Sequence, residues 1–225
     1  MATWSDGVNG HSMADAMTGV KPWTGTDFVL TFAMWALMMV AMMVPTAAPM
    51  TLMYAAVARK AAAQHSPLAP TFVFVTGYIT MWTIFSLVAT IAQHALDQAA
   101  LLSPMLVSTS ARFGAALLIA AGIYQLTPLK NTCLKNCRAP AHFISRHWRT
   151  GNLGAFRMGL GLGAYCVGCC WILMALLFVG GVMNVLWIAA IAIFVLLEKT
   201  MPFGDVSGRV AGLATILVGA LSLAL

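Results

Sequence analysis

Long apolar runs with almost no charged residues constrain this chain more than any other feature. Of its 225 residues, 61% are hydrophobic and only 8% are charged. Soluble domains carry about 25% charged residues, so this chain has too few polar side chains to cover a water-facing surface. Disordered chains are rich in charge and poor in apolar residues, which excludes disorder as well. The composition therefore predicts an all-α, polytopic bundle of transmembrane helices.

Six apolar stretches are candidates for membrane spans, each of which needs about 20 residues. They are Phe28 to about Val57, Thr71 to about His94, Phe113 to Thr127, Arg157 to about Val179, about Val182 to Leu197, and Gly208 to Leu225. The third and fifth are short, although a start near Ser103 would lengthen the third. We expect a single transmembrane domain over residues 27–225, preceded by a polar outer arm at residues 1–26.

Basic residues concentrate in segments that six spans would place on one side of the membrane. These residues are Arg59, Lys60, Lys130, Lys135, Arg138, Arg146, Arg149, Arg157, Lys199 and Arg209. Cytoplasmic loops are enriched in Lys and Arg. We therefore expect a basic cytoplasmic loop at about residues 128–157 and both chain ends on the outer side. No stretch of the sequence suggests a nucleic-acid-binding domain.

Methionines gather on one face of the first predicted span. At 100° per residue they cover about half of the helical wheel. The row consists of Met34, Met38, Met39, Met42 and Met43, with Met50 following Pro45 and Pro49. Thioether sulfurs are soft ligands that suit Cu(I), and they carry no charge that would be costly to bury in lipid. The row indicates either a path for Cu(I) or flexible packing in the helix interior.

The five cysteines form two groups that are distant in sequence. The first group is Cys133 and Cys137, and the second is Cys166, Cys169 and Cys170 on one arc of the fourth span, with Met174 continuing the row. Two thiolates suffice for Cu(I) but not for a closed tetrahedral zinc site. A redox dithiol and small buried packing residues are the alternatives.

Two further features bear on the predicted site. Gly159, Gly161 and Gly163 precede the second cysteine group, and small residues allow close helix approach. Glu198 is the single glutamate and ends the fifth span. A carboxylate near the membrane is costly, so we expect it either to meet an ion or proton, or to pair with Lys199 or another basic-loop residue.

Three sequence blocks resemble a bacterial family of predicted metal-binding integral membrane proteins, to which a membrane copper chaperone that supplies a tyrosinase is related. The blocks are M-W-x-x-M-M-x-A-M-M-x-P-x-x-x-P-M from Met34, Y-Q-L-T-P-L-K-x-x-C-L-x-x-C-R-x-P from Tyr124, and C-x-G-C-C-W-x-L-M from Cys166, followed by E-K at Glu198. The resemblance covers Met34 to about Lys199. It implies a multi-pass protein of the bacterial inner membrane whose metal ligands come from the methionine row, the five cysteines and Glu198.

The function predicted from these residues is Cu(I) binding by a membrane-embedded chaperone or carrier that supplies a copper enzyme. Its expected partners are the lipid bilayer, the copper enzyme and a soluble copper donor, and the oligomeric state is open. A carrier is favoured over an enzyme, and no P-loop for ATP hydrolysis occurs. The alternatives are a membrane thiol-disulfide oxidoreductase and a non-catalytic subunit of a larger membrane complex.

Overall fold

The regular structure of the chain is helical, as predicted. A computed structural model describes residues 23–64, 69–99, 101, 110–201 and 204–224. Helices and turns, with no strand, make up these ranges. Most of the predicted outer arm, residues 1–22, lies outside the described residues, as does the possible early start of the third span near Ser103.

The described helices fall into long apolar segments and shorter connecting ones. In chain order they are α1 (Gly25–Met43), α2 (Ala48–Ala63), α3 (Thr71–Gln98), α4 (Ala111–Gln125), α5 (Pro128–Arg138), α6 (Pro140–His147), α7 (Gly151–Ala175), α8 (Leu177–Gly180), α9 (Val185–Thr200) and α10 (Gly204–Ala224), with a 3₁₀ turn at Pro45–Ala47. Pro45 marks the break between α1 and α2, because proline lacks the N–H that would continue the helical hydrogen bonds.

Four helical stretches are long and apolar enough to cross a membrane. They are Gly25–Ala63, Thr71–Gln98, Gly151–Gly180 and Val206–Ala224. A fifth is reached if α4 and α5 count together across their 64° bend. Helix α9 has 16 residues and spans about 24 Å, which is short of a bilayer core of about 30 Å. Six spans and outward-facing chain ends therefore stay predictions.

Helices α3 and α7 run parallel in close contact, and glycines make this contact possible. A Cβ atom on Gly159 would lie 2.9 Å from the Phe74 carbonyl carbon and 3.1 Å from the Tyr78 nitrogen. A Cβ atom on Gly163 would lie 2.6 Å from Met81 Cβ. Two of the three predicted glycines thus lie in a helix contact. Gly161 does not, since nothing lies within 4 Å of its Cβ position.

The predicted basic loop at about residues 128–157 is largely helical. It forms α5 and α6, and α7 already begins at Gly151 instead of Arg157. Thr127 caps the start of α5 by accepting a hydrogen bond from the Lys130 N–H. Leu134 on α5 and Phe143 on α6 are buried. These apolar faces hold the segment against the bundle, so the cysteines of α5 lie beside α7 and not in a free loop.

Candidate metal centre

The two cysteine groups, which are separate in sequence, meet in the structure. The Cys137 side chain on α5 lies next to Cys166 and Cys169 on α7, and Cys137 and Cys166 line the same cleft. The Cys169 and Cys170 thiols donate to the Cys166 carbonyl oxygen at 3.1 and 3.0 Å. Residues three and four apart share a helix face, which is why α7 gathers its three thiols. We call these four residues, Cys137, Cys166, Cys169 and Cys170, the thiol cluster.

Cys133 lies beside the thiol cluster, against Gly168 of α7. Its Sγ would be 2.9 Å from a Cβ atom on Gly168 of α7, and its side chain is half-buried. Two histidines of the same segment lie elsewhere. His142 is exposed, and His147 stacks on Phe143 with ring centroids 4.6 Å apart. The cysteines therefore meet one another and not an imidazole.

A buried lysine lies directly against the thiol cluster. Lys199 Nζ is 2.7 Å from Cys166 Sγ and 3.3 Å from Thr46 Oγ1, and the residue is 8% exposed. The Tyr78 hydroxyl lies 3.0 Å from the same sulfur and donates to the Met43 carbonyl oxygen at 3.0 Å. The ammonium group favours negative charge on the Cys166 sulfur.

Sequence reasoning missed Lys199 and Tyr78 as parts of this site. The sequence pattern predicts Lys199 only as a basic residue of the cytoplasmic side and as a possible partner of Glu198. Its position at the end of an apolar helix, next to the single glutamate, was the available signal. Tyr78 lies within an apolar span and gives no comparable signal in one sequence.

A narrow cleft leads to the thiol cluster. Its lining includes Met50, Cys137, Cys166 and Lys199. The space within it that the centres of water molecules can occupy is about 40 Å³. A single water needs about 10–15 Å³ measured in this way. The cleft therefore has room for a few waters or one ion at the cysteine sulfurs.

The methionine row faces the interior of the bundle. Leu37, on the opposite face of α1, is 73% exposed. The predicted ligands Met39, Met42, Met43, Met50 and Met174 are buried, and Met34 and Met38 are half-buried against the core. The row ends beside the thiol cluster, because the Met43 carbonyl accepts the hydrogen bond from Tyr78.

Glu198 pairs with a lysine of the basic segment, which is one of the two predicted outcomes. It forms an ion pair with Lys130, and the two side chains are 2% and 1% exposed. Lys130 also donates to the Gln125 side-chain oxygen. Glu198 is not among the residues that line the cleft. The structure therefore shows Glu198 neutralised by Lys130, apart from the cleft.

The thiol cluster is not a closed metal cage. In the described parts of the chain, no group of three or more His, Cys, Asp or Glu side chains is arranged to hold a metal ion. Soft sulfur ligands select Cu(I), and this ion needs fewer ligands than a tetrahedral zinc site. What the chain offers is a set of adjacent sulfurs at a cleft, with methionines leading to it.

Comparison with known proteins assigns the chain to a family. No curated protein and no solved structure matches it. A sequence model of the PpoB2 family, whose description is copper chaperone, matches residues 32–222. The match spans the methionine row, both cysteine groups and Lys199, and it covers well over half of the 225 residues. The chain therefore belongs to the PpoB2 family of copper chaperones.

Proposed function

We propose that the protein is a membrane-embedded Cu(I) chaperone that holds the ion between Cys137 and Cys166 and passes it to a copper enzyme. The observation that carries this proposal is the meeting of thiols from α5 and α7 at the cleft. Cys169, Cys170 and Met50 are close enough to exchange with the first two ligands. Copper is the cargo of the protein, in keeping with its family.

Charge balance supports this ligand set. Two thiolates and one Cu(I) ion carry a net charge of −1, which is costly to bury without a counter-ion. The Lys199 ammonium lies 2.7 Å from Cys166 Sγ and supplies the missing positive charge. Because the Lys199 ammonium already favours a thiolate at Cys166, Cu(I) uptake releases only the Cys137 proton to solvent, and the loaded site with Lys199 is neutral.

The methionine row supports a route for copper away from the thiol cluster. Thioethers are neutral and bind Cu(I) more weakly than thiolates, so the ion can exchange from one to the next. In this proposal, copper moves from Cys166 past Met43 and Met39 towards Met34. Met174 and Cys133 serve as flanking sulfurs, and Glu198 holds α5 in place through Lys130.

The charge pattern supports an inner-membrane protein whose cleft opens on the cytoplasmic side. Arg138, which belongs to the basic segment, lines the cleft beside Cys137. Basic segments are cytoplasmic in multi-pass proteins. A soluble copper donor would then load the thiol cluster from the cytoplasm, and the recipient enzyme would collect copper at the outer end of the methionine row.

Competition titration tests the ligand set. The protein purified in detergent without oxygen is titrated with Cu(I) against a chromophoric Cu(I) chelator. We expect Cys137→Ser and Cys166→Ser each to weaken Cu(I) binding by about tenfold or more, which is about 1.4 kcal/mol. Cys133→Ser is the matched control and should change the affinity much less. Unchanged affinity in both Cys137→Ser and Cys166→Ser would contradict the proposal.

A further inference from the structure

Two adjoining cavities, both wide open to the surface, lie at the start of α7 and are not part of the copper site. One has a volume of about 400 Å³ and is lined by Trp148, Arg149, Leu153 and Arg157 among others. The other, of about 580 Å³, shares both arginines and continues along α6 and α7. The thiol cluster does not line either cavity.

The two arginines of these cavities have no acidic partner among the described side chains. Asp27 interacts with Thr24, Asp97 accepts a hydrogen bond from Trp23, and Glu198 pairs with Lys130; none of these carboxylates is at the start of α7.

The sequence reinforces this imbalance of charge. No acidic residue occurs anywhere from 128 to 157, while six basic residues do. Arg149 and Arg157 therefore face shared cavities, and no carboxylate of the described side chains neutralises them. The N-terminal end of a long helix, α7, adds further positive potential there. Charge complementarity calls for an anion.

The second cavity has the character of a slot for a hydrocarbon chain. Its wall along α7 includes Gly161, with nothing within 4 Å of its Cβ position, and the exposed Ala164. Trp148 and Leu153 beside the arginines are 38% and 62% exposed. Tryptophan is enriched at the depth of lipid headgroups. The cavities thus combine a cationic end with an apolar slot, which an acidic protein surface would not fill.

We propose that these cavities bind an anionic phospholipid, with its phosphate between Arg149 and Arg157 and one acyl chain along Gly161 and Ala164. Basic pockets on the cytoplasmic side of membrane proteins bind acidic headgroups in this way. The proposal rests on the membrane location given under the proposed function and not on the copper ligands. It assigns the arginines a lipid and not a role in metal transfer.

Native mass spectrometry of the full chain in detergent tests this site, with phosphatidylglycerol and phosphatidylcholine as the titrated lipids. We expect one phosphatidylglycerol to bind in preference to phosphatidylcholine. Arg149→Gln with Arg157→Gln should weaken its binding about tenfold or more. Arg59→Gln with Lys60→Gln, which removes the same charge elsewhere, should not. Arg149→Lys with Arg157→Lys should retain most binding, since it keeps the charge.

Three results would overturn the lipid site. One is equal phosphatidylglycerol binding by the Arg149→Gln, Arg157→Gln variant and the parent. Another is displacement of the lipid by millimolar inorganic phosphate, which would mean a site for the free anion. The third is that a polyglutamate peptide binds and needs the two arginines, whereas lipid binding does not need them. That result would mean an acidic protein partner. Cu(I) affinity, measured on the same samples, should be unchanged, so failure here is distinct from failure of the copper proposal.

Discussion

Replacing Gly159 with Ala is expected to force α3 and α7 apart and to disturb the thiol cluster two turns further along. The new Cβ would overlap the Phe74 carbonyl and lie 3.1 Å from the Tyr78 nitrogen. Atoms in good contact lie about 3.5–4.0 Å apart. Both neighbours are backbone atoms, so no side-chain rotation relieves the overlap and the helices must separate by roughly 1 Å. Tyr78, which contacts Cys166 at 3.0 Å, would move with α3.

Gly161→Ala is the matched control, because it makes the same change on the same helix where nothing lies within 4 Å. Both substitutions gain about 1 kcal/mol of helix propensity. Only Gly159→Ala has the overpacking cost of about 1–3 kcal/mol. The two variants should therefore differ by that cost.

Thermal unfolding in detergent measures the difference, with about 2–4 °C for each kcal/mol in a chain of this size. Cu(I) affinity should fall in Gly159→Ala and stay at the parent value in Gly161→Ala. Equal unfolding temperatures and equal Cu(I) affinities for the two variants would refute the reasoning from helix contact.

Three further predictions follow from the same structure. Glu198→Met alone should destabilise the protein by about 3–5 kcal/mol, because it leaves the Lys130 ammonium buried without its counter-ion. Adding Lys130→Met should restore most of the lost stability, as measured by thermal unfolding. A double variant as unstable as Glu198→Met would argue against a buried ion pair. A Ser145→Cys substitution in a cysteine-free background should react with a membrane-impermeant thiol reagent from the cytoplasmic side, and labelling from outside would reverse the topology. The combined substitutions Met38→Leu, Met42→Leu and Met43→Leu should keep the fold, since leucine and methionine have similar volumes. They should lower the copper content of the purified protein in elemental analysis. An unchanged copper content would count against the methionine path.

Periodicity predicted the helical features of the site well. The spacing of the methionines on α1 placed them on one face, and that face is inward while Leu37 on the other side is exposed. The spacing of Cys166, Cys169 and Cys170 placed their thiols on one arc, where the Cys169 and Cys170 thiols both donate to the Cys166 carbonyl. Both predictions succeed because a helix fixes the relative direction of side chains that are near in sequence.

Contacts between segments that are distant in sequence could not be predicted from a single sequence. Cys137 meets Cys166 only because the segment predicted as a loop folds as α5 and packs against α7, where Cys133 lies against Gly168. The burial of Lys199 depends on Thr46 and Cys166, which come from two other helices. The three glycines before Cys166 look alike in sequence, yet Gly161 faces open space. Such differences arise from tertiary packing, which periodicity does not encode.

The central claim is that sulfurs from α5 and α7 together hold Cu(I). X-ray absorption spectroscopy at the copper edge tests this claim most directly. We predict that the copper-loaded parent shows Cu(I) with an all-sulfur first shell, and that Cys137→Ser loses sulfur from that shell at equal copper loading. A first shell of nitrogen or oxygen in the parent, or an identical spectrum in Cys137→Ser, would contradict it.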